Sequence, residues 1–126
     1  MIEIKKFMHA GLIVSDLKKS RAFYEGLLGL KPNPARPNFD FEGVWYDIGQ
    51  NQIHLMVVPN PYADITRPAH GGRDNHLALS VEDVEPIRTE LDKAGVPYSM
   101  SKSGRAALFC RDPDGNAIEF SAVKMN

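Results

Sequence analysis

Met8-His9-Ala10-Gly11-Leu12-Ile13-Val14-Ser15-Asp16-Leu17 is answered later in the chain by Asn75-His76-Leu77-Ala78-Leu79-Ser80-Val81-Glu82-Asp83-Val84, an offset of 67 (76 − 9). A second matching pair, Ile53-His54-Leu55 and Ile118-Glu119-Phe120, has an offset of 65 (119 − 54). The chain therefore reads as a duplicated unit, and a repeat changes the whole fold assignment. Four side chains able to bind a metal (His9, His54, His76 and Glu119) fall at two pairs of equivalent places. We expect one domain over residues 1–126, with repeats at about 6–58 and 74–123 and a linker at about 59–73.

Each half is expected to read strand, helix, then three strands. In the first, Phe7 to Val14 is rich in β-formers, and Asp16 caps a helix running to about Leu28, closed by Gly29. Leu30 onward is extended and interrupted by Pro32, Pro34 and Pro37. Val44 to Ile48 and Gln52 to Val58 are strands joined by Gly49-Gln50-Asn51, a hairpin signal. In the second, Asn75 to Val81 is a strand. Asp83 caps a helix with Val84, Ile87, Leu91 and Ala94 on one face, and Pro86 is tolerated in its first turn. Val96 to Met100, Arg105 to Cys110 and Asn116 to Val123 complete the unit, with Asp112-Pro113-Asp114-Gly115 as the last turn. The linker is rich in proline and glycine, and its His70 is expected to be an exposed loop residue.

A chain of 126 residues with 43% hydrophobic and 25% charged residues is ordinary for a soluble globular protein. A net charge of −1 and a pI near 6.4 give no electrostatic case for nucleic acid or an anionic membrane. Apolar runs fall well short of the roughly 20 residues that span a bilayer. The first residues lack signal-peptide architecture and Cys110 is the lone cysteine, so a cytoplasmic location is expected. Cys110 lies in an apolar strand pattern and is read as a buried core residue.

Side chains alternate along a strand, which lets each candidate be read with its same-face neighbours. His9 shares a face with Gly11, His76 with Ala78 and Ser80, His54 with Gln52 and Met56, and Glu119 with Ala117 and Ser121. The opposite faces carry Leu12, Val14, Ile53, Leu55, Leu77, Leu79, Ile118 and Phe120, which should pack on the helices. A face holding His and Glu among small residues leaves a cavity that a metal, water and substrate can fill. Imidazoles and a carboxylate suit Zn2+, Ni2+, Mn2+, Co2+ or Fe2+. If all four bound an octahedral ion, two adjacent positions would remain for a bidentate substrate. Trp45 and Tyr46 alternate faces, so one lines the pocket and the other the core.

The chain resembles the vicinal oxygen chelate superfamily, which includes glyoxalase I, bleomycin-resistance proteins and extradiol dioxygenases. The resemblance rests on His9 followed by Val14-Ser15-Asp16-Leu17 and on Ser20-Arg21-Ala22-Phe23-Tyr24 through Leu28-Gly29-Leu30. It continues through Asn75-His76-Leu77-Ala78 and through Phe109-Cys110-Arg111-Asp112-Pro113-Asp114-Gly115-Asn116 leading to Ile118-Glu119-Phe120. It implies an α+β fold of two βαβββ modules forming curved mixed sheets around a metal cleft, often completed across a homodimer. His9, His76 and Glu119 match three metal-ligand positions shared by many members. His54 matches the position where glyoxalase I carries a glutamate ligand that takes part in proton transfer. The chain departs from glyoxalase I there, and also at Ile13 and Val58, where glyoxalase I holds glutathione with arginine and asparagine.

The expectation is a metal-dependent enzyme acting on a small oxygenated substrate by glyoxalase-like lyase or isomerase chemistry, or by thiol addition. Glu119 and His54 are the acid/base candidates. Arg36, Arg73 and Arg105 could each grip a substrate carboxylate or phosphate, and Arg105 is preferred because it begins the strand leading to the hairpin before Glu119. The alternatives are an Fe2+-dependent extradiol-type dioxygenase, since two histidines and a carboxylate are also the facial-triad set, and a non-catalytic small-molecule binder.

Overall fold

The computed structural model describes residues 1–101 and 106–123. Its strands form two mixed sheets. The first has the order β1-β3-β2, built from β1 (His9–Val14), β2 (Gly43–Ile48) and β3 (Asn51–Val57). The second has the order β4-β7-β6-β5, built from β4 (His76–Val81), β5 (Tyr98–Met100), β6 (Ala107–Arg111) and β7 (Ala117–Ala122). In each sheet the first strand of the half lies parallel to the last, β1 on β3 and β4 on β7. Strands β1 and β4 are thus edge strands. The expected mixed α+β architecture is observed.

The first sheet has one strand fewer than the second, and proline is the reason. The stretch where a further strand was expected makes a single bridge, Pro32 to Tyr46. Proline donates no backbone hydrogen bond, and three prolines between Pro32 and Pro37 prevent a ladder. The hairpin between β2 and β3 forms as expected, with Gly49 at φ 57°. A two-residue turn matching the strand twist needs such a value, which glycine adopts freely.

The first helix also departs from expectation. Asp16 caps α1 (Leu17–Arg21) by accepting from the Lys19 N–H at 3.2 Å, but Ala22–Leu27 continues as a π-helical turn. There the Leu28 N–H reaches back to the Phe23 carbonyl at 3.0 Å. The widened turn places the adjacent rings of Phe23 and Tyr24 in the core together. Helix α2 (Glu85–Ala94) begins with proline in its first turn and ends at Gly95, whose φ is 68°. Asp83 accepts from the Glu85 N–H at 3.0 Å, Leu91 is fully buried, and Ala94, expected on the apolar face, is exposed.

Val14, Ile53, Leu55, Ile118 and Phe120 are buried in one core with Tyr24, Tyr46, Leu91 and Leu108. These are the strand faces opposite the candidate ligands. Cys110 belongs to this core, and burial, reinforced by the Asp112 charge, pushes its thiol up to about 12. It is structural.

A polar clamp ties the halves together at the last turn. Asp112 is 5% exposed and accepts from the Tyr24 hydroxyl at 2.7 Å, the Asn116 amide at 2.9 Å, and the backbone N–H groups of Asp114 and Asn116, each at 2.9 Å. Asp114 accepts from the Ser15 N–H and hydroxyl, and Asn116 donates to the Ile13 carbonyl at 3.0 Å. Burial raises the Asp112 carboxyl above its ordinary range, opposed by its hydrogen bonds to Asn116 and Tyr24. Desolvation and the neighbouring Asp112 charge raise the Tyr24 phenol as well. Removing Asp112 would strand several buried donors, each costing about 1–3 kcal/mol. Asp112→Ala is therefore expected to lower unfolding free energy by about 3 kcal/mol or more, and Tyr24→Phe by about 1 kcal/mol. Urea denaturation measures both, and an Asp112→Ala loss below that of Tyr24→Phe would contradict the clamp.

Candidate functional site

The four predicted ligands lie in two pairs, one on each sheet. His9 and His54 stack with centroids 4.0 Å apart and planes at 15°. On the second sheet His76 Nε2 stands 3.4 Å from Glu119 Oε1. Among the described residues no three His, Cys, Asp or Glu side chains converge closely enough to hold an ion. The four expected ligands thus stand as two separate pairs, His9 with His54 and His76 with Glu119. Arg105 lies outside the described residues.

The His76–Glu119 pair is held from behind. His76 Nδ1 lies 2.8 Å from the Asp74 carbonyl, which can only accept, so Nδ1 carries the proton. Nε2 thus faces the Glu119 carboxylate, where a charged ring pairs with it as a cation and a neutral ring presents a lone pair. The separation matches the roughly 3.0–3.4 Å between neighbouring ligands that lie about 2.1 Å from a shared ion. Ser121 donates to Glu119 Oε2, and Oε1 lies toward His76. Glu119 is only 7% exposed, while Ala78 and Ser80 on the adjacent strand are exposed and small.

Asp74 is the anchor of this arrangement. Its carboxylate pairs with Arg67 at 2.9 Å and with Arg111 at 2.8 Å. The Arg67 hydrogen bond, with further help from Arg111, holds its carboxyl down at about 2. Arg111 also donates to the carbonyls of Gly115 and Pro68, so the linker, the last turn and β6 share one guanidinium. His70, expected to be an exposed loop residue, is half-buried instead. It accepts from the Gly72 N–H at 3.0 Å, capping the short turn Gly71–Arg73, and packs on Phe109 at 4.6 Å. Phe109 in turn meets His76 edge-on at 5.8 Å and sits opposite Glu119 across β6 and β7.

The first half-site is a stack of rings. His54 lies between His9 and Trp45, at 4.0 Å from each, with only 4° between its plane and that of Trp45. Trp45 is therefore the site-lining member of its dipeptide, and Tyr46 is buried in the core. The Asp47 carboxylate accepts from the Gln52 amide nitrogen at 2.9 Å, so the amide oxygen of Gln52 faces His54 Nε2 at 2.7 Å. His54 Nε2 consequently carries a proton, and Nδ1 keeps the lone pair of the neutral ring. An ion in the plane of His9 would lie well off the plane of a ring stacked on it. His9 and His54 can hold one ion together only if one of them turns. His54 titrates below its ordinary value because it is desolvated and near the positive charges of His9 and Arg36.

A cleft of about 520 Å3 is lined by Phe7, Ala10 and Ile53 from the first half and by His76, Leu77 and Ala78 from the second. The apolar side chains of Ile2, Ile4, Phe7 and Met8 are exposed. No helix among the described residues is long and apolar enough to cross a membrane.

A family model described as the Glyoxalase/Bleomycin resistance protein/Dioxygenase superfamily matches residues 6–120. The chain belongs to that superfamily. It is 28% identical over 126 residues to Glyoxylase I 4 of Arabidopsis thaliana, covering 94% of this chain and 71% of that one. It is 32% identical over 123 residues to the glutathione transferase FosA of Serratia marcescens, covering 92% and 79% of the two chains. A glyoxalase family protein of Bacillus anthracis superposes with a TM-score of 0.74 at 26% identity, covering 95% of this chain and 96% of that one. FosX of Listeria monocytogenes, complexed with Mn(II) and 1S,2S-dihydroxypropylphosphonic acid, shares the fold at a TM-score of 0.76 and 19% identity, covering 98% and 96%. Glyoxylase I 4 and the glutathione transferase FosA are named as enzymes.

The state of His54 can be read optically, because Trp45 is the sole tryptophan. A depressed folded-state value means that the neutral stack is favoured above the ordinary 6.5, and that its contribution is lost as pH falls below it. A cationic imidazole stacked on indole is the stronger quencher. Trp45 emission should therefore rise with pH through a single midpoint below 6.5, and His54→Leu should abolish the transition. A midpoint at or above 6.5 would count against the stack.

Proposed function

We propose that the protein is a metal-dependent vicinal oxygen chelate enzyme whose ion is held by His76 and Glu119 of one copy and His9 of a second, in a homodimer. The observation that carries this reading is the His76–Glu119 pair, with Nε2 aimed at a carboxylate and Nδ1 locked on the Asp74 carbonyl. Outer-shell anchoring of this kind orients a metal-binding histidine and fixes its tautomer. The two half-sites do not meet within one chain among the described residues, which supports a site shared between copies. Both first strands present open edges, and exposed Phe7 and Met8 flank His9, as an interface would require.

A divalent ion (Zn2+, Ni2+, Mn2+, Co2+ or Fe2+) bound there supplies Lewis-acid polarisation of a substrate oxygen. The chain's own groups supply the rest. His54 is not needed as a ligand: stacked between His9 and Trp45, it holds a proton on Nε2 and remains neutral near pH 7, as an acid/base group beside the ion should. Glu119 is the second group able to take a proton. The reaction class we favour is proton transfer or thiol addition on a small oxygenated substrate. The triad of two histidines and one carboxylate also supports a second reading, oxygen activation on Fe2+.

The shared site makes a mixing experiment decisive. His9→Ala and His76→Ala should each lose metal affinity by more than the roughly 100-fold that removal of an outer partner can cost. Co-refolding the two variants should restore binding at one site per mixed dimer, because one wild-type His9 then meets one wild-type His76. Elemental analysis and calorimetry with the five ions check this, and no recovery on mixing would contradict a site shared between copies. Asp74→Ala keeps the backbone carbonyl that orients His76 and removes only the carboxylate that pairs with Arg67 and Arg111, so it should weaken metal binding by less than about 10-fold. Oxygen uptake by the anaerobically reconstituted Fe2+ form separates the dioxygenase reading from the lyase reading.

A further inference from the structure

The proline-rich stretch that forms one bridge in place of a strand brings Asn33 to the first sheet. The Asn33 N–H donates to the Trp45 carbonyl at 2.8 Å, beside the bridge from Pro32 to Tyr46. Its side-chain amide is held at both ends: Oδ1 accepts from the Ala35 N–H at 2.8 Å, and Nδ2 donates to the two Asp47 oxygens at 3.1 Å each. Asp47 stands opposite Gln52 across the hairpin of β2 and β3, and its Oδ1 also accepts from the Gln52 amide at 2.9 Å. Gln52 shares a strand face with His54 and meets its Nε2 with the amide oxygen at 2.7 Å.

Hydrogen bonds from both ends converge on Asp47, and each link fixes the next. A carboxylate accepts and cannot donate, so the nitrogen of Gln52 faces Asp47 and its oxygen faces His54. An amide turned over would set oxygen against oxygen at Asp47 and lose its hydrogen bond there. The bonds from Gln52 and then Asn33 hold the Asp47 carboxyl below its ordinary value, which keeps it an acceptor. The other nitrogen of the His54 ring is left for chemistry. Nδ1 meets no group among the described residues and is open to solvent. His9 and Trp45 cover the two faces of the ring. A lone pair on Nδ1 lies in the ring plane, so it is reached only along that open edge.

We propose that Asn33, Asp47 and Gln52 are positioning residues that keep a proton on Nε2 of His54 and make Nδ1 the nitrogen that takes a proton from the substrate. The inference rests on the reading of His54 as an acid/base group for the transfer, and on the hydrogen bonds alone for the tautomer. In the transfer a substrate C–H or O–H bond breaks, its electron pair stays on the substrate, and the proton forms an N–H bond at Nδ1. The imidazolium that results keeps its Nε2–H on the Gln52 oxygen, and the Nδ1 proton is returned when product forms. Gln52 accepts from Nε2 in both states, so the ring stays in its stack throughout.

Long-range 1H–15N NMR of the full chain, with chelator and at about pH 8 where His54 is neutral, reads the tautomer directly. His54→Leu assigns the signals among the four histidines. The Nε2–H form should exceed the Nδ1–H form by about 10-fold or more. Gln52→Leu removes the acceptor and should lower that ratio by about 5-fold, whereas Gln52→Glu, which can only accept, should preserve it. Asp47→Lys puts a donor where the acceptor stood, so the Gln52 amide should turn over and the Nδ1–H form should predominate. Excess Nδ1–H in the wild type, a ratio unmoved by Gln52→Leu, or Nε2–H still dominant in Asp47→Lys would overturn the proposal. Adding Zn2+ in place of chelator separates the two ideas. The expected tautomers in a protein that takes up no Zn2+ sink the metal site alone, whereas Zn2+ uptake with Nδ1–H on His54 sinks the positioning role alone.

Discussion

Asp112 accepts four hydrogen bonds in a setting that is nearly dry, and one of them comes from a side chain, Tyr24, that could not reach it unless the halves were packed together. Tyr24 arrives from the π-helical turn of the first half, 88 residues away, while Asn116 holds its own turn and also grips the end of β1. A carboxylate taken out of water is tolerable only when its lone pairs are used. The clamp therefore forms as a whole, and it fixes the corner after β1 against the hairpin that carries Glu119. Both half-sites inherit their relative position from it. The same turn that completes the core thus sets where the chemistry can occur.

Each half-site is built by a different physical device. On the second sheet, charge does the positioning: Arg67 and Arg111 converge on Asp74, whose carbonyl orients His76, and Ser121 orients Glu119. On the first sheet, stacking does it, with His54 confined between two rings and its tautomer set through Gln52 by Asp47. The duplicated chain has kept its strand positions and diverged in what surrounds them. That divergence gives the two members of each equivalent pair different neighbours: His9 stacks on His54 whereas His76 faces Glu119, and His54 and Glu119 are held in unlike surroundings.

Much of this was legible in the sequence. The matched stretches at His9 and His76 and at His54 and Glu119 placed all four residues on strands, and alternation assigned their faces, which the burial of Val14, Ile53, Leu55, Ile118 and Phe120 bears out. The turn Asp112-Pro113-Asp114-Gly115 was visible as a turn, but not as a clamp, because Tyr24 and Ser15 are nearly a hundred residues distant. The prolines announced an irregular segment, yet only the structure shows that they reduce a strand to one bridge at Pro32. Asp74 and Arg111 carried no local signal, since their significance lies in an ion pair between the linker and β6. His70 looked like a loop residue for the same reason: its burial comes from Phe109, far along the chain.

By itself, the sequence determined the repeat, the strand faces and the chemical character of the candidate ligands. Those depend on periodicity and on side-chain type, which are local properties. Tertiary structure decided which residues become neighbours: the pairing of His76 with Glu119 and of His9 with His54, and the tautomers of His54 and His76. Those depend on contacts between segments far apart in the chain. The proton on an imidazole nitrogen is placed by whichever acceptor folding brings to it.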